Sequence, residues 1–535
     1  MRWFVNKIIL WLLKNKHNKY IRGAKDTSKY QEKKVLELIS RNKNSKYGKK
    51  YDFSNIKSID DYRRIVPIIN YEDIEEYILL MLEGKENTLF CERVTLLEET
   101  SGSTTSKKFI PYNKSLQNEY NRAIYTWLYD LVKQHNFLNG SLYFSITPIV
   151  TKNNANNLVG FNDDSDYIGI VGKIIRKYFA VPNDVRFIDD EEKFKIVSCI
   201  FLFGRDDLSL VSIWNASFFL NLLKCFEENK DIILESIKKR EILIDINNNL
   251  KKKLNKYLVT NSDRYNELVR ITKDKKYSYE ELFSKLEVIS VWGDADSLNM
   301  YEKLQDLFPN IYIQKKGLLA TEGVVSIPFC DYDGHLISYL SHFYEFEDVD
   351  TKKVLLIGEL KKNKRYEIII TTGAGLYRYR LGDLIEVIGF YESIPIIKLI
   401  GRNKVSDYVG EKLNEIFVNN ILNKVLAKKT LFYFLSPEYI NGKYQYYLYI
   451  EFIDRTDKNK KLTDIIDKEL RNNFHYDYAV KIGQLEELKV VFIKNGNESY
   501  FNRCQHEFKQ KLGDIKQTTF SNKLGWKDYF VEVEE

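Results

Sequence analysis

Five cysteines in 535 residues (Cys91, Cys199, Cys225, Cys330 and Cys504) form no CxxC pair and follow no spacing. An odd, scattered set argues against a disulfide framework and fits a reducing cytosol, with the thiols serving as small core residues. The six histidines show no ligand spacing, so no zinc site is expected. There is no arginine stripe: 82 basic against 75 acidic residues leave a formal charge of +7 spread along a lysine-rich chain, which does not indicate nucleic-acid binding. No Gly-x-x-x-x-Gly-Lys-Ser/Thr loop is present, and kinase-like P-loop chemistry has no support. No fixed-period repeat or low-complexity tract stands out. No apolar run reaches the roughly 20 residues that span a bilayer. The nearest is at the start, where Trp3, Phe4, Ile8, Ile9, Trp11, Leu12 and Leu13 are interrupted by Lys7 and followed by no small-residue cleavage site. A basic amphipathic helix of this kind can lie on a membrane surface, but an apolar stripe is more often core, and packing on the first domain is favoured. The expectation is a cytoplasmic, monomeric protein.

What is there is an ordinary globular composition, 44% hydrophobic, long enough for two to four domains or subdomains. The stretch from Lys25 to about Ile69 reads as helical and then irregular, and Tyr71 to Leu82 as a helix. Asn118 to Gln134 reads as a long aromatic helix with Tyr120, Ile124, Leu128 and Leu131 on one side. Short apolar strands are expected at 142–146, 288–292 and 311–314. The region from Phe187 to about Leu286 reads mostly helical, including 211–226 with Trp214, Phe218, Phe219 and Leu222, taken as core with a hydrophobic pocket lining as the alternative.

Three stretches carry chemistry. After the β-like run Val94 to Leu97 comes Glu-Thr-Ser-Gly-Ser-Thr-Thr-Ser-Lys-Lys-Phe-Ile-Pro (99–111). Here Thr100, Ser101, Ser103, Thr104, Thr105 and Ser106 crowd hydroxyls around Gly102 ahead of Lys107 and Lys108. Converging amides, hydroxyl donors and a lysine suit a bound phosphate, although a polar surface turn is the commoner use of such residues. In Gly317 to Pro328, Glu322 lies between Thr321 and Gly323 in a mainly apolar run, where a carboxylate needs a cation or donors. A magnesium ion on a nucleoside triphosphate would serve, as would backbone amides. The third stretch, Tyr366 to Phe390, is an apolar strand, a turn, the alternating Tyr377 to Arg380, and then Gly382-Asp383 opening another strand. It would set Asp383 at a sheet edge, where a carboxylate suits a ribose diol.

These stretches, in this order, resemble the auxin-responsive acyl acid amido synthetases, the Gretchen Hagen family of the adenylate-forming superfamily, over almost the whole chain. The resemblance implies that Thr100, Ser101, Gly102, Ser103, Thr104 and Thr105 cradle ATP phosphates. It implies that Thr321 contacts the nucleotide and Glu322 holds Mg²⁺, and that Tyr377 and Asp383 belong to the ribose-binding motif. Gly401-Arg402 resembles the hinge motif, and Lys516 in Leu-Gly-Asp-Ile-Lys sits where the family has its mobile lysine. Two features depart from the pattern. Thr105 and Ser106 stand where many members have Gly-x, which makes Lys108 the match to the motif lysine, and the proline and arginine usual after the family lysine are missing after Lys516.

The implied fold is α/β and adenylate-forming, with a large N-terminal domain of mixed sheets and helices over 1–401 and a small mobile α/β lid over 402–535. The implied reaction adenylates a carboxylic acid with release of pyrophosphate, then transfers the acyl group to an amine, expected to be an amino acid, with release of AMP. Lys516, Arg402 and Lys108 are the catalytic candidates. An acyl-CoA or carrier-protein ligase sharing the first step, and a non-catalytic nucleotide-binding protein, remain as alternatives.

Overall fold

The computed structural model describes all residues except 1, 100–107, 147, 149–168, 259–261, 275, 295–296, 403–404, 427–428, 454–460, 509, 511–514 and 534–535. It divides into two compact units. One comprises Met1–Trp292, Lys303–Leu381 and Ile385–Leu399, and the other Gly293–Glu302, Gly382–Leu384 and Ile400–Glu535.

The first unit holds a four-stranded parallel sheet in the order Ser141–Phe144, Leu208–Asn215, Val288–Trp292, Tyr312–Lys315. Its strands are short, largely apolar runs, as expected where a parallel sheet is covered on both faces. One of them overturns a sequence expectation. The run 211–226 was expected to be a single helix, but Leu208–Asn215 is a strand and the helix begins only at Ala216, where the Asn215 side chain accepts the Ser217 amide. A buried strand and a buried helix segment share an apolar run, and the Asn215 cap is what separates them. The other large sheet has seven strands in the order Val354–Leu356, Phe343–Asp348, Arg365–Thr371, Tyr379–Tyr391, Ile394–Arg402, His335–Ile337, Ser326–Pro328.

Across this unit runs the helix Lys114–Gln134. Asn113 caps it, and Tyr120, Ile124, Leu128 and Leu131 form a buried stripe along it. The first helix, Arg2–Gly23, packs on it, burying Ile9, Leu13 and Tyr20 and leaving Trp11 exposed. Among the described residues no helix is long and apolar enough to cross a membrane.

The second unit is built on the strands Thr430–Ile440, Lys443–Phe452, Leu485–Lys494 and Val531–Glu532, in that order. Alternation along the first strand divides its side chains between two layers. Tyr433 and Leu435 join the core formed with the helices Glu415–Leu426 and Lys461–Leu470. Phe432 and Phe434 join an aromatic cluster with Tyr500, Trp526 and Phe530.

Candidate active site

In the first unit the motif stretches meet on the helix Lys114–Gln134. At its N-terminus the Asn113 carboxamide oxygen accepts the Leu116 amide at 2.8 Å while its nitrogen donates to the carbonyl of Gly373 at 2.7 Å. Further along, the fully buried Glu119 accepts the Gly373 amide with both oxygens, at 3.1 and 2.9 Å. Lys34 Nζ lies 2.5 Å from Glu119 Oε1, and His342 Nδ1 lies 2.9 Å from Oε2. His342 Nε2 accepts the Val324 amide at 3.0 Å, which leaves the ring proton on Nδ1, the nitrogen nearer the carboxylate. Burial lowers the His342 pKa against the pull of Glu119, so the ring stays neutral. Burial also opposes ionisation of Glu119, but Lys34 and His342 outweigh it and hold the carboxyl at about 2.

The residue after Glu119 reaches the second motif. Tyr120 donates its hydroxyl to the carbonyl of Ala320, with the Thr321 carbonyl 3.1 Å away, and Tyr112 donates to the Thr321 carbonyl at 2.7 Å. Burial, with the charges of Glu322, Glu98 and Glu119 in support, pushes the Tyr120 phenol well up, so it remains a donor at any working pH. Glu322 occupies the turn between the short paired strands Leu319–Ala320 and Gly323–Val324. Gly323 follows because there is no room for a side chain: a Cβ there would stand 2.8 Å from His342 Nε2.

The hydroxyl-rich residues Thr100, Ser101, Gly102, Ser103, Thr104 and Thr105 lie outside the described residues. They are bracketed by the strands Leu96–Glu99 and Phe109–Tyr112, which pair antiparallel with Glu99 opposite Phe109, and the second runs straight into the Asn113 cap. Lys108 follows directly on those residues, with Nζ 3.7 Å from Glu72 Oε1 and 5.2 Å from the centre of the Tyr71 ring.

Tyr377 is placed differently from the expectation. Its ring is fully buried, stacked on Tyr47 with centroids 5.1 Å apart, and its hydroxyl donates to the Leu89 carbonyl at 3.0 Å. The arginines beside it are also structural. Arg378 is buried, grips Glu345 at 2.8 and 2.9 Å and donates to the carbonyls of Arg63 and Val66, while Arg380 binds Glu347 and Glu367. Asp383 is buried on the strand Tyr379–Tyr391, which has a neighbour on either side, so it does not lie on an edge strand as expected. The run Tyr377 to Arg380 reads only as an alternation of aromatic and cationic residues, and the acids Glu345, Glu347 and Glu367 elsewhere in the sequence fix where its arginines go.

Asp383 belongs to the second unit, as do the other two candidates. Arg402 ends the strand Ile394–Arg402. Before it, Gly401 adopts a φ of +148°, and a Cβ would meet Ile416 at 3.1 Å. Lys516 has an exposed side chain on a fastened backbone: its carbonyl accepts the Tyr500 hydroxyl at 3.1 Å, and Thr519 and Ser521 pair with Leu435 just beyond.

Among the described residues no group of three or more His, Cys, Asp or Glu is arranged to hold a metal ion. A single turn carboxylate, Glu322, does fit a magnesium ion that takes most of its ligands from phosphates and water, the way this ion is usually held beside nucleotides.

Three family models match in chain order: the GH3 family N-terminal domain over 17–313, its central domain over 335–402 and its C-terminal domain over 418–523. The chain is similar to a jasmonoyl–L-amino acid synthetase of Nicotiana attenuata, 22% identical over 430 residues that cover 71% of this chain and 70% of that one. It is also similar to a probable indole-3-acetic acid-amido synthetase of Oryza sativa subsp. japonica, 23% identical over 487 residues, covering 80% and 76%. In fold it resembles the solved GH3.15 acyl acid amido synthetase in complex with 2,4-DB, with a TM-score of 0.83 at 16% identity over 98% of this chain and 96% of the other.

Proposed function

The chain belongs to the GH3 family, and from that premise we propose that it is an ATP-dependent acyl acid amido synthetase. The observation that carries this reading is the tie of the Lys114–Gln134 helix to the strand that follows the hydroxyl-rich stretch, to the Thr321–Glu322 turn and to the turn at Gly373.

A carboxylate is a poor electrophile. Its oxygen would attack the α-phosphorus of ATP, the bond to the bridging oxygen would break, pyrophosphate would leave, and an acyl adenylate would remain. The barrier comes largely from bringing negative charges together, so oriented donors and cations are what such a site must supply. In this reading Thr100 to Thr105 hold the β- and γ-phosphates, Lys108 stands beside them and Asp383 accepts the ribose hydroxyls. Glu322 would hold Mg²⁺, which would offset phosphate charge. Arg402 and Lys516 serve the α-phosphate and the acyl carboxylate. An amine, in this reading an amino acid, then attacks the activated carbonyl, and the amide and AMP are released. The residues 402–535 act as a lid that presents Lys516 for the first step and withdraws it for the second, with Gly401-Arg402 at the hinge.

A thioester-forming ligase would share the first step, but the family match lies with amide-forming relatives. Mass spectrometry of reactions containing mixed carboxylic acids and amino acids tests the proposal. Amide products that require ATP and accumulate with AMP are expected. Products that require CoA in place of an amino acid, or no ATP-dependent product from any mixture, would overturn it.

A further inference from the structure

The helices Glu191–Phe203 and Ala216–Glu228 precede and follow the strand Leu208–Asn215 and pack on each other. Two contacts, one helical turn apart on both helices, fix their register. Phe203 stacks on Phe226 with ring centroids 3.9 Å apart, and one turn earlier Cys199 Sγ donates to the carbonyl of Leu222 at 3.3 Å. A helical carbonyl points along the axis toward the following turn, and there Cys225 stands three residues on, on the same face as Leu222. The two thiols are therefore neighbours across the seam and interact with each other. Cys225 also takes a hydrogen bond on its sulfur from Asn229 Nδ2 at 3.8 Å. Cys199 is sealed in the seam at 0% exposure, whereas Cys225 lies at its margin at 6%.

The pair is unequal. A hydrogen bond from Cys199 draws the Cys225 thiol below its ordinary value, against its own burial and the charge of Glu228, with Lys195 and Asn229 adding to the pull. Burial, reinforced by Cys225, pushes the Cys199 thiol up. The sulfur that loses its proton first is thus the one nearer solvent, and the thiolate is the nucleophilic form. A thiolate oxidised alone stops at a sulfenic acid or goes on to an irreversible sulfinic acid. With a second thiol beside it, the sulfenic acid is instead consumed in a disulfide, which thiols reverse.

We propose that Cys225 and Cys199 form a reversible oxidation site for small hydroperoxides, in which Cys225 is attacked first and Cys199 closes a disulfide across the two helices. The Cys225 thiolate attacks one oxygen of hydrogen peroxide, the O–O bond breaks, and the departing hydroxide takes up a proton to leave as water. The Cys199 thiol then gives up its proton and attacks the Cys225 sulfur, the S–O bond breaks, and a second water leaves with that proton. Two thiols are oxidised by two electrons and one peroxide is reduced to two waters. The test treats the full-length folded protein with hydrogen peroxide, stops the reaction with catalase, blocks the remaining thiols with N-ethylmaleimide in denaturant and maps the peptides by mass. Two of the five thiols should be lost to blocking and found joined as Cys199–Cys225, and dithiothreitol should restore both. Cys225 should react before the more exposed Cys91 and Cys330, the reverse of the order that exposure alone would give. In Cys199→Ser the reaction should stop at a sulfenic acid on Cys225, trapped by dimedone. A wild-type protein with no Cys199–Cys225 peptide, or one in which Cys91 or Cys330 reacts before Cys225, overturns the assignment whether or not the serine variant folds. The same pairing preference in protein unfolded by urea before treatment overturns it too, since the folded helices are what bring the thiols together.

Discussion

Glu119 Oε2 lies 2.9 Å from His342 Nδ1, and the opposite nitrogen of the same ring takes the Val324 amide proton. Through these two residues the ammonium of Lys34 is connected to the strand that follows Glu322, with every member buried. Removing one partner of such a set leaves an uncompensated group in the interior. Glu119→Gln should therefore destabilise the first unit by about 3 kcal/mol, read as a shift in denaturant midpoint at unchanged slope. An unchanged midpoint would refute the linkage.

The same pair sets a pH dependence. The native pKa of His342 is lowered by burial, so below about 6.5 the unfolded chain takes up the proton first. Glu119 is held at about 2 in the folded protein, so its unfolded carboxyl also protonates first. Both contributions are present at neutral pH and are lost as pH falls, the histidine's first and the carboxylate's on the way toward about 2. The melting temperature should fall between neutral pH and the carboxylate range, and less steeply in His342→Asn. Equal slopes in the two proteins would count against a neutral His342.

Asp383→Ala should raise the nucleotide KM in pyrophosphate exchange while the fold survives. Each lost hydrogen bond from a ribose hydroxyl to a charged acceptor is worth about 1.5 to 3 kcal/mol, less what water restores. Arg378→Ala is the control from the same motif. It breaks a buried pair with Glu345 and should cost about 3 kcal/mol of stability, yet leave the nucleotide KM of the folded protein unchanged. If Arg378→Ala shifts KM and Asp383→Ala does not, the roles assigned to the two residues are reversed.

Glu322→Gln should raise the magnesium concentration needed for half-maximal activity, because the amide keeps an oxygen ligand but loses the charge that attracts the ion. A magnesium titration that superimposes on the wild type would leave Glu322 a structural turn residue.

Lys516→Ala separates the half-reactions. Pyrophosphate exchange should drop steeply, since a positive charge is lost where negative charge accumulates. Amide formation from a pre-made acyl adenylate and an amine should be largely retained, as the step that needs the lysine is bypassed. Equal losses in both assays would argue against a lid with two positions, and no loss in either would move the role to another lysine of the tail, such as Lys523.

The helix Lys114–Gln134 and the strand Val288–Trp292 are legible because each is a single apolar pattern of one period. The strand Leu208–Asn215 is not, because it runs into the helix Ala216–Glu228 with no break in hydrophobicity. Glu322 stands out as an acid in a mainly apolar run and Asp383 as the acid after Gly382 where a strand is expected to open, and the structure shows them in a turn and on a strand. Glu119 does not stand out. A lone acid on a helix reads as a solvated face, and its partner Lys34 lies 85 residues upstream on a separate helix.

The phenols of Tyr112 and Tyr120 grip two consecutive carbonyls immediately ahead of Glu322. Rotating either peptide plane would break one of these part-buried bonds, so the turn is held in place before any ligand arrives. In the proposed reading, the temperature dependence of binding at Glu322 would then reflect displaced water and the ligand's own lost freedom, with little heat-capacity change from the chain.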